Sequence, residues 1–196
     1  MQFKEAENYI LDKLKKELPE YLHYHNVDHT IDVVKACKQL AKLENLSEQD
    51  TQLLLTAASY HDAGFLSCID GHETVSCEIA ERVLPGYGYT PDEIAIVCST
   101  IMATRMPQTP VNKLGELLAD ADLDYLGRDD FFGLSCRLYS ELVILNDLTS
   151  EQEWDTIQVE FLKTHRYFTK SAQQLRRANK VEHLEQLKAK LNKETP

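Results

Sequence analysis

At 196 residues the chain is ample for one well-buried core, and a single domain over 1–196 is expected. Its 43% hydrophobic content is ordinary for a globular protein, and its apolar runs fall far short of the roughly 20 residues that cross a bilayer. The formal net charge of −11 disfavours nucleic acid and anionic membranes as partners, because both need a basic surface, yet leaves room for a nucleotide met by a metal and a few cations.

The opening segment, MQFKEAENYILDKLKKEL, predicts an amphipathic helix over 3–17. It lacks the basic stretch and apolar run of a secretory signal, so the cytoplasm is the expected compartment. Apolar periodicity then predicts helices over 28–43, 48–62, 73–84, 91–103, 112–126, 130–146 and 150–168, and a charged one over 170–192. No strand alternation is sustained, so the class is all-α. Thr90-Pro91-Asp92-Glu93 and Thr149-Ser150-Glu151-Gln152 both fit capping boxes, and Pro91 sits where its missing N–H costs nothing. GYGYTP and MPQTPVN are the clear breaks. The five cysteines include no Cys-x-x-Cys pair, which argues against a disulfide framework or a thiolate metal site and for small buried residues. Trp154 and the 150–168 helix read as scaffold. The tail from Gln173 alternates charge around a thin Leu and Val stripe, which predicts packing on its own domain, with a monomer or a homodimer as the assembly.

Three of these helices carry polar misfits on apolar faces. Taking His29 as the origin of its helix, Val33, Ala36, Cys37, Leu40 and Leu43 fall within roughly 80° of it, so His29 points into the core. LLLTAASYHDAGF is apolar nearly all round and ends in His61-Asp62. An ionised Asp62 at the end of a buried helix costs several kcal/mol unless paired or bound to a cation, and the helix dipole adds to the demand for positive charge. In LGELLADADLDYLGR the wheel places Asp120 on the far side, Asp124 at the margin and Asp122 alone inside the buried arc. His29, His61, Asp62 and Asp122 thus offer two imidazoles and two carboxylates, a set suited to a divalent cation with nitrogen and oxygen ligands.

The order H, then HD, then D over about residues 20–130 resembles the HD superfamily of helical metal-dependent phosphohydrolases. The resemblance implies a multi-helix HD-type domain with its metal between core helices, residues 131–196 adding C-terminal helices. It implies His29, His61, Asp62 and Asp122 as ligands of one or two divalent ions (Mn, Mg, Zn, Fe, Co or Ni). YHN followed three residues later by His29 is similar to the opening of cyclic-nucleotide phosphodiesterases, which implies His25 as proton donor to the leaving oxygen. Residues 63–76 lack the further histidine, glycine and asparagine pattern of the animal phosphodiesterases. His72-Glu73 instead resembles the HE segment of small bacterial HD proteins, which implies a second metal or a substrate contact; the alternative is a helix-start histidine bonded locally.

The expected chemistry is hydrolysis of a phosphate ester of a nucleotide or related small metabolite, by a phosphomonoesterase or phosphodiesterase. Asp62 orients the attacking water and His25 protonates the leaving group. Arg105, Lys113 and Arg128 are the candidate phosphate contacts, with surface charge as the plainer reading of each. A sensor or scaffold module that binds nucleotide or metal without turnover is the alternative. An HD-type di-iron oxygenase is disfavoured, because no histidine stands between His72 and His165 to complete a larger ligand set.

Overall fold

Nine α-helices and four short 3-10 turns, with no β-strand, make up the described residues of the chain. The structure, a computed structural model, describes residues 1–194; the last two residues of the charged tail lie outside them. None of the helices is long and apolar enough to cross a membrane. The all-α class expected from the periodicity is the class observed.

The residues divide into two compact units, one formed by Met1–Glu20 with His25–Asp122, the other by Tyr21–Tyr24 with the chain from Leu123 onward. The first holds α1 (Phe3–Glu17), α2 (Val27–Leu43), α3 (Glu48–Tyr60), α4 (His72–Val83), α5 (Pro91–Ile101) and α6 (Lys113–Asp122). Helix α3 is buried continuously from Leu53 to Tyr60, and α1, α2, α4, α5 and α6 all pack against it. An all-round apolar helix has to be enclosed in this way, since no face of it gains from water. Its few polar groups are bonded: Thr56 Oγ1 lies 2.7 Å from Tyr89 Oη, and Tyr60 Oη donates to the Ala6 carbonyl.

The second unit holds α7 (Phe131–Ile144), α8 (Glu151–Thr164) and α9 (Lys170–Glu194). Its core gathers Tyr24, Tyr125, Leu126, Phe131, Val159, Leu162 and Leu187. Tyr24 packs on Tyr125 with ring centroids 5.5 Å apart. Trp154 is buried and donates to Ser135 Oγ, in keeping with a scaffold role. Helix α9 packs along α8 and the 3-10 turn Asp124–Gly127. Arg176 reaches both oxygens of Asp124 at 2.7 and 3.0 Å. Gly127 lies so close to the Arg176 carbonyl that an added Cβ would approach it to 2.3 Å.

Several boundaries differ from those expected. Helix α6 stops at Asp122 rather than 126, where the chain tightens into the Asp124–Gly127 turn held by Arg176. Helix α8 stops at Thr164 rather than 168, because Arg166 Nη1 donates to the Lys163 carbonyl and Lys180 Nζ to that of His165. The second capping box is one residue later than predicted: Ser150 accepts from the Glu153 N–H, and Glu153 in turn binds the Thr149 N–H. Leu43, placed on the core face by the wheel, is 48% exposed. Cys37 and Cys77 are buried as expected, but Cys68 and Cys98 are only partly so and Cys136 is exposed.

The shifted cap has a measurable consequence. Ser150→Ala is expected to lower unfolding free energy by about 1 kcal/mol in denaturant titrations. Gln152→Ala should stay within about 0.5 kcal/mol of the parent; the reverse order would restore the box as first predicted.

Candidate metal centre

The YHN tripeptide acts first through its asparagine. Asn26 caps α2, its Oδ1 accepting from the N–H groups of Asp28 and His29 at 2.9 and 3.2 Å. The cap holds His29 in the first turn of the helix. His61 follows directly on α3, and its Nδ1 lies 2.8 Å from the Ala58 carbonyl. A carbonyl only accepts, so Nδ1 carries the proton and Nε2 is the ring atom turned to the site. Ser76 on α4 locks the corner, donating to the His61 carbonyl at 2.6 Å and accepting from the Gly64 N–H at 2.8 Å. Gly64 permits that approach: a Cβ there would stand 2.0 Å from the His72 carbonyl oxygen.

Four side chains converge. His29 Nε2 lies 3.2 Å from Asp122 Oδ1 and 3.5 Å from Asp62 Oδ2. His61 Nε2 lies 3.2 Å from Asp62 Oδ2 and 3.5 Å from Asp122 Oδ1. His61 Nε2 and Asp62 Oδ2 are buried and neither makes a hydrogen bond, despite their proximity. Ligand bonds of about 2.1 Å to a common ion put neighbouring donors about 3.0–3.4 Å apart in octahedral or tetrahedral sites. The observed separations are of that size, and ligand atoms of His29, His61 and Asp122 all lie within 4.8 Å of one another. Two buried polar atoms without hydrogen bonds, in an imidazole and carboxylate set, fit a divalent cation.

The electrostatics of these side chains point the same way. Burial works against protonation of His61, but Asp62 and Asp122 outweigh it and hold the pKa well above the ordinary histidine value. Burial likewise opposes ionisation of Asp62, and His61, His72 and His29 reverse it, holding the carboxyl well below its usual range. Asp122 is lowered as well, burial being overcome by His29 and His61. These carboxylates stay charged, and protons on imidazole supply the matching charge until a cation does.

His72 opens α4 and has two attachments. Its Nδ1 meets the Ile69 carbonyl at 3.0 Å, the local bond expected of a helix-start histidine. Its Nε2 points to Asp62 Oδ1 at 3.5 Å, with Glu73 Oε1 at 3.7 Å. Burial is outweighed by Asp62 and Glu73, and the His72 pKa is raised. Asp62 therefore turns Oδ2 to His29 and His61 and Oδ1 to His72. Phe65 stacks on His72 at 4.0 Å between centroids and on His25 at 4.6 Å. Two rings that close do not share one face, so Phe65 stands between them. His25 also meets the edge of His29, centroids 5.8 Å apart.

The wheel singled out Asp122 for a reason that fails. Asp120 and Asp124 are the more deeply buried, at 1% and 4% exposure, while the Asp122 side chain keeps 18%. Asp124 is explained by Arg176; Asp122 is the one that meets the two histidines, as the last residue of α6. Of the cations, Arg105 is exposed on the turn after Met102–Thr104. Lys113 sits at the start of α6, paired with Glu44 at 2.8 Å. Nine residues of helix, about 13 Å, separate it from Asp122, so it is not brought to the cluster. Arg128 belongs to the second unit and binds Asp130 through Nε and Nη2. Ser76, Gly64 and Phe65 went unnoticed in the sequence; Asn26 had a legible signal, since Asn before an apolar helix is a favoured cap.

A solved structure of a predicted HD superfamily hydrolase from an uncultured Thermotogales bacterium has the same fold, with a TM-score of 0.64 at 21% identity, covering 95% of this chain and 91% of that one. No protein-family model and no curated protein matches the chain. The multi-helix fold expected from the H, HD, D pattern is thus the fold observed.

Two expectations follow. Gly64→Ala should destabilise the protein by about 1–3 kcal/mol through forced displacement of the α4 start, and should weaken Mn or Zn binding in calorimetric titration; unchanged metal affinity would detach the Gly64 corner from the site. Because the carboxylates around His61 raise its pKa and favour the protonated ring, which ligates only when neutral, metal uptake should release protons. Apparent affinity should therefore rise with pH until the raised His61 pKa is passed. Binding heats identical in buffers of different ionisation enthalpy would contradict this.

Proposed function

We propose that the chain is a divalent-metal-dependent phosphohydrolase acting on a phosphate ester of a nucleotide or a related small metabolite. The observation that carries the reading is the buried set of His29, His61, Asp62 and Asp122, with ligand-like spacing and with His61 Nε2 and Asp62 Oδ2 left without hydrogen bonds. The neighbour described as a predicted HD superfamily hydrolase supports it.

A cation held by these four residues would supply Lewis acidity toward a phosphoryl oxygen and the attacking water. The remaining steps belong to side chains. Asp62 orients the water and accepts its proton as the new P–O bond forms. His25, set against Phe65 and in ring contact with His29, gives a proton to the leaving oxygen as the ester bond breaks. His72, reached by the second oxygen of Asp62, and Glu73, 3.7 Å from His72 Nε2, hold a second cation or the substrate. Arg105, exposed on its turn, is the cation left to meet phosphate once Lys113 and Arg128 are accounted for by Glu44 and Asp130.

The test is turnover by metal-stripped protein as Mn, Mg, Zn, Co, Ni and Fe(II) are restored, against monoesters, diesters, cyclic nucleotides and nucleotides. Turnover should require metal and fall by at least about 10³-fold in Asp62→Ala. In His25→Ala, kcat should fall by about 10²–10⁴ while bound metal is retained. Tight metal binding with no ester hydrolysed would replace this reading with a binding module.

A further inference from the structure

The second unit contains a cavity of about 450 Å³, within the size range of small-molecule sites, formed by the C-terminal end of α8, the segment after it and one face of α9. Lys163, Arg166, Arg177 and Lys180 all line it, and none of the described lining residues is acidic. In a chain of net charge −11 this is a local inversion of sign. Lys163 is partnered by Glu160 at 2.6 Å. The other three meet no carboxylate among the described residues. Lys180 is 6% exposed, and its Nζ touches the carbonyl and Nδ1 of His165, 2.6 and 3.2 Å away. Arg166 donates to the carbonyls of Lys163 and His165. Arg177 is exposed.

The plain reading is that these cations cap the negative end of α8. It covers Arg166 and Lys180 in part, but a helix end carries only about half a charge, and Arg177 makes no bond to those carbonyls. A net positive field remains. Burial together with Arg166 and Arg177 pushes Lys180 down to about 8, and burial with Lys180 and Arg166 pushes His165 down to about 3. Apart from Gln173, whose side chain donates to the Tyr167 carbonyl, the rest of the lining is apolar or aromatic, with Leu162, Tyr167, Val181 and Leu184 beside the cations.

We propose that this cavity is a ligand site for an organic phosphate of the nucleoside diphosphate class, its phosphates met by Arg166, Arg177 and Lys180 and its body laid against Tyr167, Val181 and Leu184. A diphosphate matches three cations better than a single charge does, and the apolar wall gains nothing from a bare inorganic ion. The site consists wholly of second-unit residues and uses none of the metal ligands.

The test uses full-length, metal-stripped protein, titrated with ADP, pyrophosphate and adenosine while backbone amide resonances are followed. ADP should perturb amides across 162–184, with pyrophosphate binding at least several-fold more weakly and adenosine not detectably. Arg177→Glu should weaken ADP at least tenfold and Arg177→Gln less, whereas Lys38→Glu, an exposed α2 position with the same change in charge, should stay within twofold. Either Arg177 variant leaves the buried Lys180 in place. The proposal is overturned if ADP fails to bind, if its perturbations fall elsewhere, if pyrophosphate matches ADP, or if Lys38→Glu costs as much as Arg177→Glu.

Discussion

The first unit is organised around a buried negative charge that must be matched. Asp62 follows the end of α3 by two residues and Asp122 is the last residue of α6, so both carboxylates stand where helix dipoles already place partial negative charge. Withdrawing them from water would cost several kcal/mol each without compensation. Compensation comes from imidazoles on α2, just after α3 and at the start of α4, each directed inward by a bond on another part of its residue. Asn26 caps the turn that carries His29, Ala58 holds His61 Nδ1, and Ile69 holds His72 Nδ1. The packing of α3 inside five neighbours is what keeps water from doing this work instead. Protons and a divalent cation are then rival solutions to one charge deficit.

How far the sequence showed this depends on the range of each signal. Helix order was legible because apolar periodicity is local and long. The polar clusters were legible because His61-Asp62 ends a helix with no polar face, which burial alone would not tolerate. Chain ends of helices were less so: α8 is stopped by Arg166 and Lys180 reaching its last carbonyls, and Lys180 lies 15 residues beyond the carbonyl it binds. The same holds for α6, whose end depends on Arg176 meeting Asp124 52 residues away.

Asp122 shows how a residue that meets the two imidazoles can be singled out by an unsound step. The wheel assumed one continuous helix to 126 and graded three aspartates by angle. Burial does not follow that grading, since Asp120 and Asp124 are both deeper. A wheel describes a helix against one apolar partner, whereas α6 packs against α2, α3 and α5 at once and ends before Asp124. What distinguishes Asp122 is its position at the helix end, opposite the two imidazoles, a property of three-dimensional convergence that angle alone does not encode.

The two histidines of YHNVDHT are four residues apart, a spacing that would align them on one helical face. They do not share one, because Asn26 lies between them as the cap and leaves His25 outside α2. His25 is thereby released from the geometry of the helix and its ring rests on Phe65, which carries His72 on its other face. An apolar ring between two imidazoles offers neither a proton nor a ligand. It keeps both rings apart and oriented beside the cluster, so one cap and one phenylalanine decide which histidine of the segment joins the helix and which rests against the ring.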